Sequence, residues 1–302
     1  MSAPPPEAIA AAVHGSFVAD RRSRVLDLIF KYSLIACLAL AMLTLGVLIA
    51  QVISDGLGGL SLSFLSDVPS RIDPSSSGIG PALVGTLLLM VVCAAFIIPV
   101  GVASAIYLEE YANRDRWFNR FIEVNIQNLA AVPSIVYGVL GLAFLVRGPL
   151  SLGNVILAGG LTLGLLVLPV IIVAGREAIR AVPPSIREGS MALGATRWQT
   201  IWKQVLPAAI PGLATGAILS LSRAIGETAP LIVIGAFAFS TAIPSGFLAD
   251  VTALPIVIFG WISDPQEEYK ALAAAGIIVL MVILLVMNAI AIWLRNRYEK
   301  KW

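Results

Sequence analysis

Charge is scarce in this chain. Asp, Glu, Lys and Arg make up 13% of its 302 residues and hydrophobic residues 58%, whereas an ordinary soluble domain is roughly 25% charged. The composition excludes a water-exposed globular fold and predicts a membrane protein. Histidine is nearly absent. His14 stands alone in an N-terminal stretch, which speaks against a histidine metal site or a Ser-His-Asp triad. The two cysteines, Cys37 and Cys93, fall in apolar runs and read as small buried hydrophobes. The lysines at 31, 203, 270, 300 and 301 follow Phe, Trp, Tyr, Glu and Lys, so the Gly-Lys-Ser/Thr loop that cradles nucleotide phosphates is missing. A net charge of +2 gives no reason to expect a nucleic-acid partner. No nucleophile–base set or metal cluster stands out, so no catalytic and no metal-binding residue is expected.

Long apolar runs, in contrast, are plentiful. A spanning helix takes about 20 mostly apolar residues, and six segments qualify, at about 32–53, 82–108, 128–146, 152–175, 208–239 and 271–294. The first 24 residues, rich in Pro and Ala, are expected to form a disordered tail rather than a signal peptide, with the membrane domain over 25–302. The fifth run is too long for one span, and Gly226 and Pro230 inside it predict a kink or break after Gly226. With the N-terminus placed in the cytoplasm, sixteen of the twenty Lys and Arg residues fall inside, three (Arg71, Arg147, Lys270) fall outside, and Arg223 is left within a span. The positive-inside rule therefore puts both termini in the cytoplasm. The outer loop 54–79 is Gly/Ser/Pro-rich, and 240–270 holds an apolar stretch too short to span. That stretch is expected to lie in the interface or cap the outer mouth, with Trp261 at headgroup level. Glu109 and Glu110, at the inner end of the second span, read as solvated helix-end charges, and Arg71 and Arg147 as ordinary loop charges. Gly212 and Gly216 form a GxxxG suited to close packing, either generic or against a partner subunit.

The inside loop between spans four and five reads REAIRAVPPSIREGSMALGATRWQTIWKQVLP. Its two prolines, Ser185 as N-cap and Glu188 three residues later predict a helix start with a capping box. Gly194 permits a tight turn, and RWQTIWKQV gives a second, amphipathic helix. Such a pair is either a knob for a soluble partner or an interfacial element on the headgroups. The fifth span carries LSLSRAIGETAP, in which Gly216, Ser220, Arg223 and Glu227 are spaced 4, 3 and 4 apart and fall on one stripe. A charge at the bilayer centre costs about 2.5–3.5 kcal/mol, so this pair is expected to face a cavity or partner. One reading is a self-neutralised pair that locks helices. The other is an anion path, in which Arg223 offers donors to an oxyanion and Glu227 balances it or accepts a proton-bearing oxygen. Ser220 and Thr228 flank the same route.

Two resemblances sharpen this. Glu188, Gly189, Ser190, Met191, Ala192, Leu193 and Gly194, then Ala195 and Thr196, with Leu206-Pro207 in register, resemble the EAA loop of ABC-importer membrane subunits. Gly189 and Ser190 stand for the usual alanines, and Gln204 departs from the usual Ile or Val. The resemblance implies an all-α polytopic membrane protein with six transmembrane helices, the MetI-like fold of ABC type I importers. In it, Glu188–Thr196 within the loop 182–207 would be the helix that docks on an ATPase. SRAIGETAPL together with ALPIVIFGWISDPQEEY resembles the PstA family, one of two permease subunits of bacterial phosphate importers, over about 80–302. Gly260 replaces the Asn common there. This likeness implies a PstC-like permease partner, two PstB-like ATPase subunits holding ATP and Mg, a PstS-like phosphate-binding protein, and a place in the bacterial inner membrane. It assigns transport roles to Arg223 and Glu227.

Overall fold

The computed structural model describes residues 21–70, 72–113, 116–236, 240 and 242–298. Of the tail expected over 1–24, residues 1–20 lie outside the described residues, as do Arg71, Arg114, Lys300 and Lys301, and the remaining four are helical. The chain divides into two compact units, residues 1–54 and 55–302.

The described part of the first unit is helix α1 (Arg21–Gly56), which ends two residues into the second unit and is longer than the expected 32–53. Its apolar side chains point outward all round, as suits a helix solvated by lipid. Cys37 is exposed on it, against the expectation of burial. In the second unit, α2 (Gly80–Ile106) ends in a wide π turn, Tyr107–Tyr111. Next come α3 (Trp117–Leu129), α4 (Ser134–Gly141), α5 (Ile156–Arg180), α6 (Pro184–Ala192), α7 (Arg197–Thr200) and α8 (Leu206–Ile225). Then follow α9 (Ala229–Val233), α10 (Leu254–Ile262) and α11 (Glu267–Tyr298). Among the described residues, five helices are long and apolar enough to cross a membrane; a sixth span exists if a bent pair is counted as one.

That bent pair corrects the third expected span. Residues 128–146 are not a straight helix: Trp117–Leu129 and Ser134–Val146 meet at 106°. Pro133 lacks an N–H and disfavours helical geometry at Val132, so α3 stops and a new helix begins. The Tyr137 hydroxyl, from α4, donates to the Leu129 carbonyl at 2.8 Å and satisfies the exposed end of α3.

The core is built around α5, which lies against α2 on one side and α8 on the other. Small residues make this closeness possible. A Cβ on Gly160 would meet Val92 at 2.6 Å, and one on Gly216 would meet the Ala174 Cβ at 2.7 Å. Gly212 likewise faces Ala178. The GxxxG of span five therefore packs within the chain, against Ala174 and Ala178 of α5. The amphipathic RWQTIWKQV segment is continuous with span five: α7, a π turn at Ile201–Val205 and α8 form one run, Arg197–Ile225. As expected, the run breaks at Gly226. Instead of reaching residue 239, helix resumes only for α9, whose second residue is Pro230.

The outer segments are more ordered than their loop-like composition suggests. Ser61 caps a short helix, Leu62–Ser66, and Asp73 caps a turn at Pro74–Ser76. Backbone bonds tie residues 247–251 to the start of α5, including Ile156 N–H to Ala249 O at 2.9 Å, and Leu254 N–H donates to Thr86 on α2. Helix α10 buries Leu254–Ile258 and Trp261 while Phe259 and Ile262 stay exposed. Trp261 is 0% exposed, with its ring 6.0 Å from that of Phe64, so the headgroup placement expected for it is overturned. Tyr269 joins the same cluster and donates to Ser70 O.

Candidate functional site: the broken span and the loop below it

Arg223 lies in the last turn of α8, and Glu227 one residue past the Gly226 cap. Helix cannot continue into Pro230, which has no amide hydrogen and restricts Ala229 before it. The chain therefore crosses Gly226–Thr228 without full helical bonding. The break is seated by Gly138 of α4, where a Cβ would meet the Pro230 Cα at 2.8 Å. Arg223 Nε is 3.5 Å from Glu227 Oε1, and the two side chains are 44% and 20% exposed. The terminal guanidinium nitrogens of Arg223 have no partner among the described residues. Tyr137 lies within electrostatic reach of Arg223, and next to it Ser222 donates to Asn288 of α11 at 2.6 Å. The arrangement is a half-exposed planar donor, loosely tethered by a carboxylate, at the break between two helices.

The stripe expected from spacing is split in depth. Gly216 and Ser220 are buried against α5, and the Ser220 hydroxyl donates to the Gly216 carbonyl at 2.9 Å. Ser220 is 0% exposed, whereas Thr228 is half-buried beside Glu227.

The loop between α5 and α8 forms the second part. Helix α6 starts at Pro184 after Pro183. Ser185 is thus inside the first turn and makes no cap, and the Ser185–Glu188 capping box is overturned because proline takes the N-cap. A capping box does exist one helix later, between Thr196 and Gln199. Gly194 turns the chain at φ 87°, a conformation that only glycine adopts without strain. Glu188, Gly189, Met191, Ala192, Leu193, Gly194 and Thr196 are exposed, and Ser190 and Ala195 are half-buried. The Ser190 hydroxyl meets that of Thr200 at 2.9 Å, tying α6 to α7. Leu193 is 90% exposed, and Trp198 and Trp202 stand out beside it with ring centroids 5.3 Å apart. A cleft of about 550 Å³, lined by Ser185, Gly189, Leu193, Gln199 and Lys203, opens between the two short helices.

A charge network above this loop went unseen in the sequence. Glu109 and Glu110 are not solvated: they are buried, with Glu109 held by Arg180 and Glu110 by Arg187. Arg176 adds Glu123 of α3 at 2.9 Å. Arg176 and Arg180 sit four apart on the face of α5 that meets Glu109, a helical spacing that could have pointed to the pairing. Arg147, by contrast, is exposed.

An all-helical bundle with a broken, charge-bearing span and a projecting two-helix loop defines a transport permease, and the chain belongs to the family of binding-protein-dependent transport system inner membrane components, whose model matches residues 97–300. Among its relatives is a probable ABC transporter permease of Bacillus subtilis, YqgI, 32% identical over 279 residues (88% of this chain, 93% of the relative). Another is the phosphate transport system permease protein PstA 1 of Mycobacterium tuberculosis, 33% identical over 220 residues (73% and 71%). In fold the chain resembles a subunit of a bacterial alginate ABC transporter solved with its periplasmic protein, with a TM-score of 0.66 at 15% identity over 93% of this chain and 98% of that one. The all-α, MetI-like membrane fold expected from the sequence is borne out.

Proposed function

We propose that this chain is a permease subunit of an ATP-driven importer of inorganic phosphate, forming half of the translocation path. The observation that carries the reading is Arg223, whose terminal nitrogens have no partner among the described residues at the break of span five, beside Glu227, in a chain similar to a phosphate transport permease. A guanidinium is a planar fork matched to a tetrahedral oxyanion. Glu227 balances it when the path is empty, and accepts a hydrogen bond from hydrogen phosphate, which sulfate has no proton to offer. Moving a divalent anion into a negative interior costs about 4.6 kcal/mol per 100 mV, so uptake needs a motor.

This chain lacks a phosphate-cradling loop of its own, so ATP and Mg belong to partner subunits: two PstB-like ATPases docked on Glu188–Thr196. A PstC-like permease supplies the other half of the path, and a PstS-like binding protein delivers phosphate. The complex sits in the bacterial inner membrane with both termini of this chain in the cytoplasm, 1–24 as tail and 25–302 as permease domain. ATP closes the ATPase dimer, the dimer displaces α6, and the spans open outward to accept phosphate. Hydrolysis then resets the inward state, and no covalent intermediate forms.

The test is ATP-driven phosphate uptake in proteoliposomes holding the whole complex, with Arg223→Gln and Glu227→Gln beside wild type and with sulfate and molybdate as competitors. Intact assembly with uptake lost in both variants is expected. Full uptake in both, or equal competition by sulfate, would overturn the reading.

A further inference from the structure

The two glutamates at the end of α2 are adjacent in sequence yet bind different helices, and the π turn at Tyr107–Tyr111 makes this possible. Successive helical residues point about 100° apart. Glu109 reaches α5: its two oxygens accept from Arg180 Nε and Nη2 at 3.1 and 3.0 Å, fork to fork. Glu110 reaches α6: one oxygen accepts from Arg187 Nε at 3.0 Å and Nη2 at 2.8 Å. Arg187 is held from a third direction as well. It donates to the Val182 carbonyl at 2.6 Å and to that of Ile179 at 2.8 Å, in the last turn of α5 and just beyond it.

Arg187 is the residue before Glu188, in the middle of the helix that faces the cleft and the exposed Leu193. The Glu110 carboxylate at the end of α2 and the backbone carbonyls at the end of α5 thus converge on one guanidinium of α6. Glu110 is 7% exposed, so water does not loosen the pair. A buried ion pair is a poor source of net stability, because desolvation offsets attraction, but it fixes relative geometry. Bidentate charge-assisted bonds fix it most tightly.

We infer that Glu110 and Arg187 are positioning residues for coupling: the pair makes α6 move with the inner end of α2, so that a displacement imposed on α6 reaches the spans directly. Without the pair, α6 keeps the Ser190–Thr200 contact with α7, the packing of Ile186 and the Arg187 bonds to the end of α5, but loses the ion pair that ties it to α2. This rests on the reading of the chain as an ATP-driven phosphate importer.

The experiment measures phosphate uptake and ATP hydrolysis in the same proteoliposomes of the complete complex. Glu110→Gln keeps the shape of the side chain but removes its charge. Hydrolysis within about twofold of wild type, with phosphate moved per ATP down by about tenfold or more, is the expected result. Glu177→Gln, at a half-exposed neighbouring pair with Arg180, should leave the ratio unchanged. If Glu110→Gln fails to assemble, Arg187→Lys, which keeps charge but loses the fork, takes its place. An unchanged ratio, or hydrolysis and uptake falling by the same factor, overturns the inference.

A second measurement does not involve cargo. Spin labels at positions 193 and 100, with Cys37 and Cys93 replaced, should give one narrow distance that stays fixed on trapping with a non-hydrolysable ATP analogue. The distribution should broaden in Glu110→Gln. A distance that shifts in the unsubstituted pair overturns the rigid linkage even where uptake is normal. Absence of uptake in wild type, with the distance fixed, overturns the importer reading alone.

Discussion

Arg223 is 44% exposed along a side of α8 shared with Leu219. An arginine facing hydrocarbon costs about 2.5–3.5 kcal/mol, and one long contact at 3.5 Å to Glu227 offsets little of that. Such a residue therefore needs water or a polar partner on its open side. If it recognises an oxyanion through two parallel N–H donors, charge alone will not suffice. Arg223→Lys keeps the cation but loses the fork. A charged hydrogen bond contributes about 1.5–3 kcal/mol, so phosphate uptake should fall on the order of tenfold or more while ATP hydrolysis continues. Uptake at the wild-type rate would mean that the site reads only positive charge.

At the scale of elements, the packing of α8 on α5 depends on missing side chains. Gly216→Val places branched carbon where the Ala174 Cβ would stand 2.7 Å away. Over-packing of this kind costs about 1–3 kcal/mol, so the purified complex should melt several degrees lower; an unchanged melting temperature would mean that the two helices are free to separate. Gly194→Ala acts differently. Nothing crowds that position, but its φ of 87° strains any side chain by about 1–3 kcal/mol, so the α6–α7 turn should distort and co-purification of the ATPase should weaken without loss of the folded permease. The same contrast explains what the sequence could reveal. The Gly194 turn, the break at Gly226 and most of the spans were legible because proline, glycine and hydropathy act locally. The 106° bend at Pro133 was hidden by an apolar run that reads as one span. The Glu110–Arg187 pair was hidden because its partners lie 77 positions apart, a separation that no helical period encodes. Trp261 misled for a related reason: its composition suits an interface, and only the closure of Phe64 and Tyr269 over it shows that it is core.

At the scale of the whole second unit, α5 is the ruler. Its 25 residues span about 37 Å at 1.5 Å each, enough to cross the roughly 30 Å hydrocarbon core. One of its ends is bound by residues 247–251, the other by the arginine–glutamate network and the loop carrying α6. The proposed orientation, drawn from the excess of arginine and lysine, has the two ends face opposite compartments with the α6 end in the cytoplasm. Two exposed leucines report on this: Leu193 at the loop and Leu248 at the far end, 90% and 72% exposed. With Cys37→Ser and Cys93→Ala as background, a membrane-impermeant maleimide should label Leu248→Cys from the outside of intact cells and leave Leu193→Cys untouched. In inside-out vesicles stripped of ATPase the pattern should invert. Adding the ATPase back should then protect position 193 and not 248, as the proposed docking on α6 requires. Labelling of both positions from one side would mean that α5 does not cross, and the reverse pattern would turn the chain over in the membrane and take the motor's site out of the cytoplasm.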